Sequence, residues 1–123
     1  GQFHAIEGDI IFRNPQKPPH LAICKGEDES RSYDQCLLDA IYYNIKYPAE
    51  ALAQKIEGLM IAELIIDEEG QVEKSTIVRS LGGGCDEEFI RLIESHLNQW
   101  KPAENDGMPV KSQKILAIKM ALE

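Results

Sequence analysis

The stretch from Leu59 to Asp67 constrains the fold more than any other part of the chain. Met60, Ala62, Leu64 and Ile66 form a wholly apolar set at every second position, while Leu59, Ile61, Glu63 and Ile65 form a mixed one. A period of two is the side-chain spacing on one face of a strand, so the pattern predicts a strand with one face in a core and the other partly covered. Asp67-Glu68-Glu69-Gly70 follows, a segment of hairpin-loop length with a glycine available for a positive φ. Gln71 to Ser80 is then the return strand. Its apolar parity shifts between Val72 and Ile77, which predicts a bulge.

An isolated hairpin cannot bury a face by itself, so its cover must come from the rest of the chain. Ser32-Tyr33-Asp34-Gln35 has the Ser-x-x-Gln form of a capping box, and Leu37, Leu38, Ile41, Tyr42 and Ile45 then recur at helical spacing. Tyr47-Pro48 interrupts that helix, because the residue before proline is pushed out of the α region. Pro48 to Lys55 reads as a second, short helix closed by Gly58. After the turn Leu81-Gly82-Gly83-Gly84, the acidic run Asp86-Glu87-Glu88 suits the first turn of a helix. Phe89, Leu92, Ile93, His96, Leu97 and Trp100 extend that helix as an apolar stripe over three turns, with Pro102 ending it. Beyond the turn Asn105-Asp106-Gly107, Val110 to Leu122 reads as one long alternating strand. Leu116, Ile118, Met120 and Leu122 fall on one face, and Lys111, Gln113 and Lys119 on the other.

The order helix–strand–strand–helix–strand predicts an α+β domain, a small antiparallel three-stranded sheet with two main helices packed on one face. Residues 36–123 carry these signals. Residues 1–35 are an irregular lead-in: Ile6 and Ile10–Phe12 suit a short strand, Asn14-Pro15 and Pro18-Pro19 punctuate the chain, and residues 26–31 form a charged loop.

A length of 123 residues suits one compact domain. The formal net charge of -8 has no lysine or arginine cluster to offset it, which argues against nucleic acid or an anionic membrane surface as partner. No apolar run approaches membrane-spanning length, and Gly1-Gln2-Phe3-His4 lacks the basic start and apolar run of a signal peptide.

No catalytic constellation emerges. His4, His20 and His96 are far apart, and neither HExxH nor paired Cys-x-x-Cys occurs. His96 lies on the helix stripe and reads as a semi-buried packing residue without a partner to activate. Cys85 follows three glycines at a helix start, a position that can lower a thiol pKa, but no histidine is assigned nearby to activate it, which favours a small packed side chain over a nucleophile. Cys24 and Cys36 suit a disulfide, two free buried thiols, or a metal site recruiting His20, although His-x3-Cys-x11-Cys matches no standard ligand spacing. The sequence therefore predicts no enzyme, no cofactor and no metal. The last strand is long and dotted with Lys111, Lys114 and Lys119. Lysines protect an edge strand from aggregation, yet an exposed edge also accepts a peptide by strand addition.

The order of motifs resembles the TonB C-terminal domain family. Asn44-Ile45-Lys46-Tyr47-Pro48-Ala49-Glu50-Ala51 is similar to its N-x-x-YP-x-x-A opening, and Ile56-Glu57-Gly58 and the Met60–Asp67 strand continue the match. Asp67-Glu68-Glu69-Gly70-Gln71-Val72 resembles its D-x-x-G-x-V hairpin, Trp100-Lys101-Pro102 its W-x-P turn, and Gly107-Met108-Pro109-Val110 its G-x-P-V. The Cys24…Cys36 pair and the Gly-Gly-Gly-Cys segment look most like Bacteroidetes-type energy transducers.

The resemblance implies a periplasmic binding module at the end of a chain anchored in the inner membrane and driven by an ExbB/ExbD motor through an N-terminal membrane helix. It implies TonB-dependent outer-membrane transporters as partners, whose TonB box is added as an extra strand beside the last strand. Val110, Lys111, Ser112, Gln113, Lys114, Ile115, Leu116, Ala117, Ile118 and Lys119 are then the peptide edge, and Asn44, Ile45 and Lys46 lie where relatives contact the transporter plug. Similar domains also occur as C-terminal sensors of membrane metallopeptidases, and a stand-alone secreted envelope-binding domain fits the same pattern. An exposed edge also allows a homodimer.

Overall fold

The computed structural model of the chain describes residues 10–25 and 32–122. Ile6 and the loop 26–31 discussed above lie outside them. The described elements are β1 (His20–Leu21), α1 (Tyr33–Asn44), α2 (Ala49–Gln54), β2 (Gly58–Ile66), β3 (Val72–Arg79), α3 (Cys85–His96), β4 (Trp100–Lys101), β5 (Ala103–Asn105), β6 (Met108–Val110) and β7 (Ser112–Met120).

The main sheet has the order β3-β2-β7 and is antiparallel throughout. Met60, Ala62, Leu64 and Ile66 are fully buried, as their period of two requires, together with Leu116, Ile118 and Met120 from β7. Leu37 and Ile41 of α1, Ala51 of α2, and Phe89, Leu92 and Ile93 of α3 join them in one cluster, so the helices cover a single face. The architecture is the expected α+β one. At the hairpin, the Asp67 carboxylate accepts from the backbone N–H groups of Glu69 and Gln71, each at 2.9 Å, which ties the loop locally. Gly70 adopts φ +83° with its Cα against the Trp100 carbonyl; a Cβ there would stand 1.9 Å from that oxygen. β3 carries two bulges, one at Val78, between the Ile61–Arg79 and Ala62–Ile77 pairs, and one where parity predicts it. Ile66 pairs with Val72 and Ile65 with Lys74, so Glu73 is the extra residue.

Three local expectations are corrected. The second helix closes at Lys55 and not at Gly58. Lys55 takes the left-handed conformation at φ 57°, its N–H and that of Ile56 satisfy the last carbonyls, and Gly58 already starts β2. The third helix stops at His96, which is exposed, and Trp100 belongs to β4. The Trp100 backbone N–H bonds to the Gly70 carbonyl at 3.0 Å and Trp100 pairs with Leu21, so distant strand partners override the helical period. Its indole N–H donates to the Leu97 carbonyl at 2.8 Å, so the side chain satisfies a backbone acceptor just past the helix instead of extending it. The last strand starts at Ser112 and ends at Met120. Val110 pairs with Ala103 in the β5–β6 hairpin, and Lys111 is the step from that hairpin to the main sheet.

The described residues 10–25 of the lead-in are woven into the same body. β1 pairs with β4, and Leu21 and Cys24 sit in the core cluster. Cys24 and Cys36 form a disulfide with Cα atoms 5.9 Å apart, tying the lead-in to α1 and removing both the free-thiol and the metal-ligand alternatives. Of Ile10–Phe12, only Phe12 makes a strand-type bridge, and it does so to Ser112.

Candidate functional site

β7 is an edge strand of the main sheet, so one row of its backbone groups faces away from β2. Two bonds identify that row. The Gln113 N–H donates to the Phe12 carbonyl at 3.0 Å, and the Lys119 N–H donates to the Tyr42 hydroxyl at 2.9 Å. Neither bond involves β2, and the two residues share parity. In an antiparallel pair successive residues alternate in facing the partner, so Ile115 and Ala117 present their N–H and C=O groups to the same outer edge. Among the described residues, nothing bonds to those outer groups of Ile115 and Ala117.

Both ends of the edge are closed by other parts of the chain. Phe12 runs parallel to β7 at its start, donating to the Lys111 carbonyl at 2.9 Å as well as accepting from Gln113. The chain then turns away at Arg13-Asn14-Pro15. Between that turn and Gln113–Ile115 lies a groove of about 330 Å³. Arg13 and Lys114 line it, giving local positive charge in a chain whose net charge is -8. At the far end, Tyr42 reaches across from the last turn of α1.

The predicted peptide residues therefore divide. Ser112, Leu116 and Ile118 turn buried side chains into the core, and Ser112 is fully buried. Ile115, Ala117 and Lys119 are exposed, while Gln113 and Lys114 are half-buried. Val110 and Lys111 precede the strand, and the Lys111 ammonium pairs with Glu73 at 2.8 Å. Lys114 faces Asp34 at 3.8 Å. The predicted plug-contact segment Asn44, Ile45 and Lys46 begins two residues after Tyr42. Arg91 donates to the Asn44 carbonyl at 3.1 Å, and the Lys46 N–H donates to Glu88 at 2.7 Å, so α3 holds this segment from behind. Sequence reasoning missed Phe12 and Tyr42 as edge residues. Tyr42 sat on the apolar stripe of α1, and its exposure was the signal that it had another task.

Cys85 is fully buried, and burial followed by the charges of Asp86, Glu87 and Glu88 pushes its thiol pKa up. That is the opposite of an activated nucleophile. Among the described residues, no group of three or more His, Cys, Asp or Glu is placed to hold a metal ion, and no helix is long and apolar enough to cross a membrane.

No curated protein matches the chain. Residues 43–119 match the family described as Gram-negative bacterial TonB protein C-terminal, a span that includes the Tyr-Pro segment, the β2–β3 hairpin, α3 and nearly all of β7. With more than half of its length matched, the chain belongs to the TonB C-terminal domain family.

Proposed function

We propose that this domain acts in the periplasm as the peptide-binding end of a TonB-like energy transducer, accepting a short extended segment of an outer-membrane transporter as a fourth strand beside β7. Energy from an inner-membrane ExbB/ExbD motor would reach the transporter through that strand. The observation that carries the reading is the outer edge at Ile115 and Ala117, whose backbone donors and acceptors are oriented for a partner strand and bonded by no described residue. Family membership supports it. Strand addition draws affinity from main-chain hydrogen bonds and specificity from alternate side chains. On this reading, Asn44–Lys46 lies beside the far end of the bound strand, close to where the transporter body would stand.

The test is an amide NMR titration with a peptide from the N-terminal region of an outer-membrane transporter of the same organism. Shifts should concentrate in residues 113–119. Ala117→Pro removes one outward N–H and leaves the β2 side of the strand untouched, since proline is tolerated on a strand edge whose N–H faces solvent. It should weaken binding about tenfold or more with the β2–β7 amides still protected. Shifts confined to another surface would overturn the proposal, as would shifts at 113–119 that depend on protein concentration and need no peptide, which mark pairing with a second copy.

A further inference from the structure

We infer that Tyr42 is an internal stand-in for the last hydrogen bond of an added strand, so that it sets how long a strand the β7 edge accepts; this rests on the strand-addition reading above. The Tyr42 hydroxyl occupies the position that a peptide carbonyl would take on the Lys119 N–H, at 2.9 Å. It does so from α1, an element outside the sheet, and the residue is 45% exposed, so the phenol has room to swing away. The edge at the other end is closed by Phe12, which takes the Gln113 N–H and the Lys111 carbonyl. Between these two stops lie the Gln113 carbonyl and both outer groups of Ile115 and of Ala117.

A strand of about five residues satisfies those groups with Tyr42 in place, because pairing alternates every second residue. A longer strand continuing past Ala117 must offer its own carbonyl to Lys119 and displace the phenol. The exchange replaces one neutral hydrogen bond by another, so the hydroxyl opposes the longer strand by roughly the net worth of a single hydrogen bond. The same residue shields the Lys119 N–H while the edge is empty, limiting that edge as a template for unwanted strands.

The experiment uses two acetylated and amidated peptides of alternating Thr and Val, five and seven residues long, chosen for strand propensity. In the native domain the shorter peptide should shift the Ile115 and Ala117 amides and leave the Lys119 amide and the Tyr42 ring resonances in place; the longer one should move all four. Tyr42→Phe keeps the ring and removes the acceptor. It should tighten the seven-residue peptide by about threefold to tenfold and leave the five-residue peptide unchanged. It should also speed hydrogen exchange at Lys119 in the free domain. If Tyr42→Phe affects both peptides equally, or neither, while Ile115 and Ala117 still shift, the inference falls and strand addition stands. If neither peptide shifts Ile115 and Ala117 at millimolar concentration, strand addition at this edge falls, and the role of Tyr42 with it.

Discussion

Glu88, in the first turn of α3, accepts a hydrogen bond from the Lys46 backbone nitrogen at 2.7 Å, while its carboxylate also receives the Arg91 Nε and Nη2 at 2.8 and 2.7 Å. The same guanidinium donates to the Asn44 carbonyl. One ion pair therefore holds both ends of the segment that joins α1 to Tyr47-Pro48, although the two strands of chain are far apart in sequence.

The Arg91 bonds, with the Lys46 N–H adding to them, hold the Glu88 carboxyl below the usual glutamate range against the opposing effect of burial. A depressed acid contributes stability that is complete above its unfolded pKa, about 4, and is lost as pH falls through the lower folded value. Urea midpoints should therefore drop as the pH is lowered through and below about 4. Glu88→Gln should flatten that limb of the curve and weaken the domain at neutral pH. An unchanged acid limb in the variant would contradict the role given to Glu88.

The disulfide closes a loop with a sequence separation of 12, for which chain entropy predicts about 3 kcal/mol of stabilisation. Cys24→Ala with Cys36→Ala should lower the unfolding free energy by about that amount, and reductant should do the same to the native protein. Because the bridge ties the lead-in to α1, amide exchange in β1 and at Phe12 should accelerate before exchange in β2.

Gly70→Ala would place a methyl group 1.9 Å from the Trp100 carbonyl oxygen at a φ of +83°. The strain and the broken Trp100–Gly70 contact together should cost at least about 2 kcal/mol. Chemical denaturation followed by Trp100 fluorescence reads both the stability and the disturbed site, since this is the sole tryptophan.

The two faces of β2 give an internal comparison. Leu64 is fully buried and Leu59 is 37% exposed. Leu64→Ala should cost about 2–5 kcal/mol through a cavity that the helices cannot fill, and Leu59→Ala less than about 1 kcal/mol. Equal costs would mean that the helices do not cover a single face.

Much of this arrangement was legible in the chain because it is written in local periods. The alternation of Met60, Ala62, Leu64 and Ile66 sets the buried face, Asp67 and Gly70 set the loop, and Asp86 to Glu88 mark the start of α3. A strand's period of two leaves no freedom in which residues face the core once one face is apolar. The family motifs follow the same local signals, and they bring the sheet, α3 and most of β7 with them.

What the sequence determined by itself, then, is the set of elements and the faces they bury. The tertiary structure alone decided where they stop and what their edges touch. Trp100 keeps the helical period of α3 yet leaves the helix, because its backbone finds Gly70 and Leu21. Val110 alternates with β7 yet pairs with Ala103. Phe12 and Tyr42 come from opposite sides of the Cys24–Cys36 bridge to close the two ends of one strand edge. The physical reason is that side-chain periodicity is a property of neighbouring residues, whereas the partner of a backbone N–H at a strand edge depends on which distant segment packing brings within 3 Å.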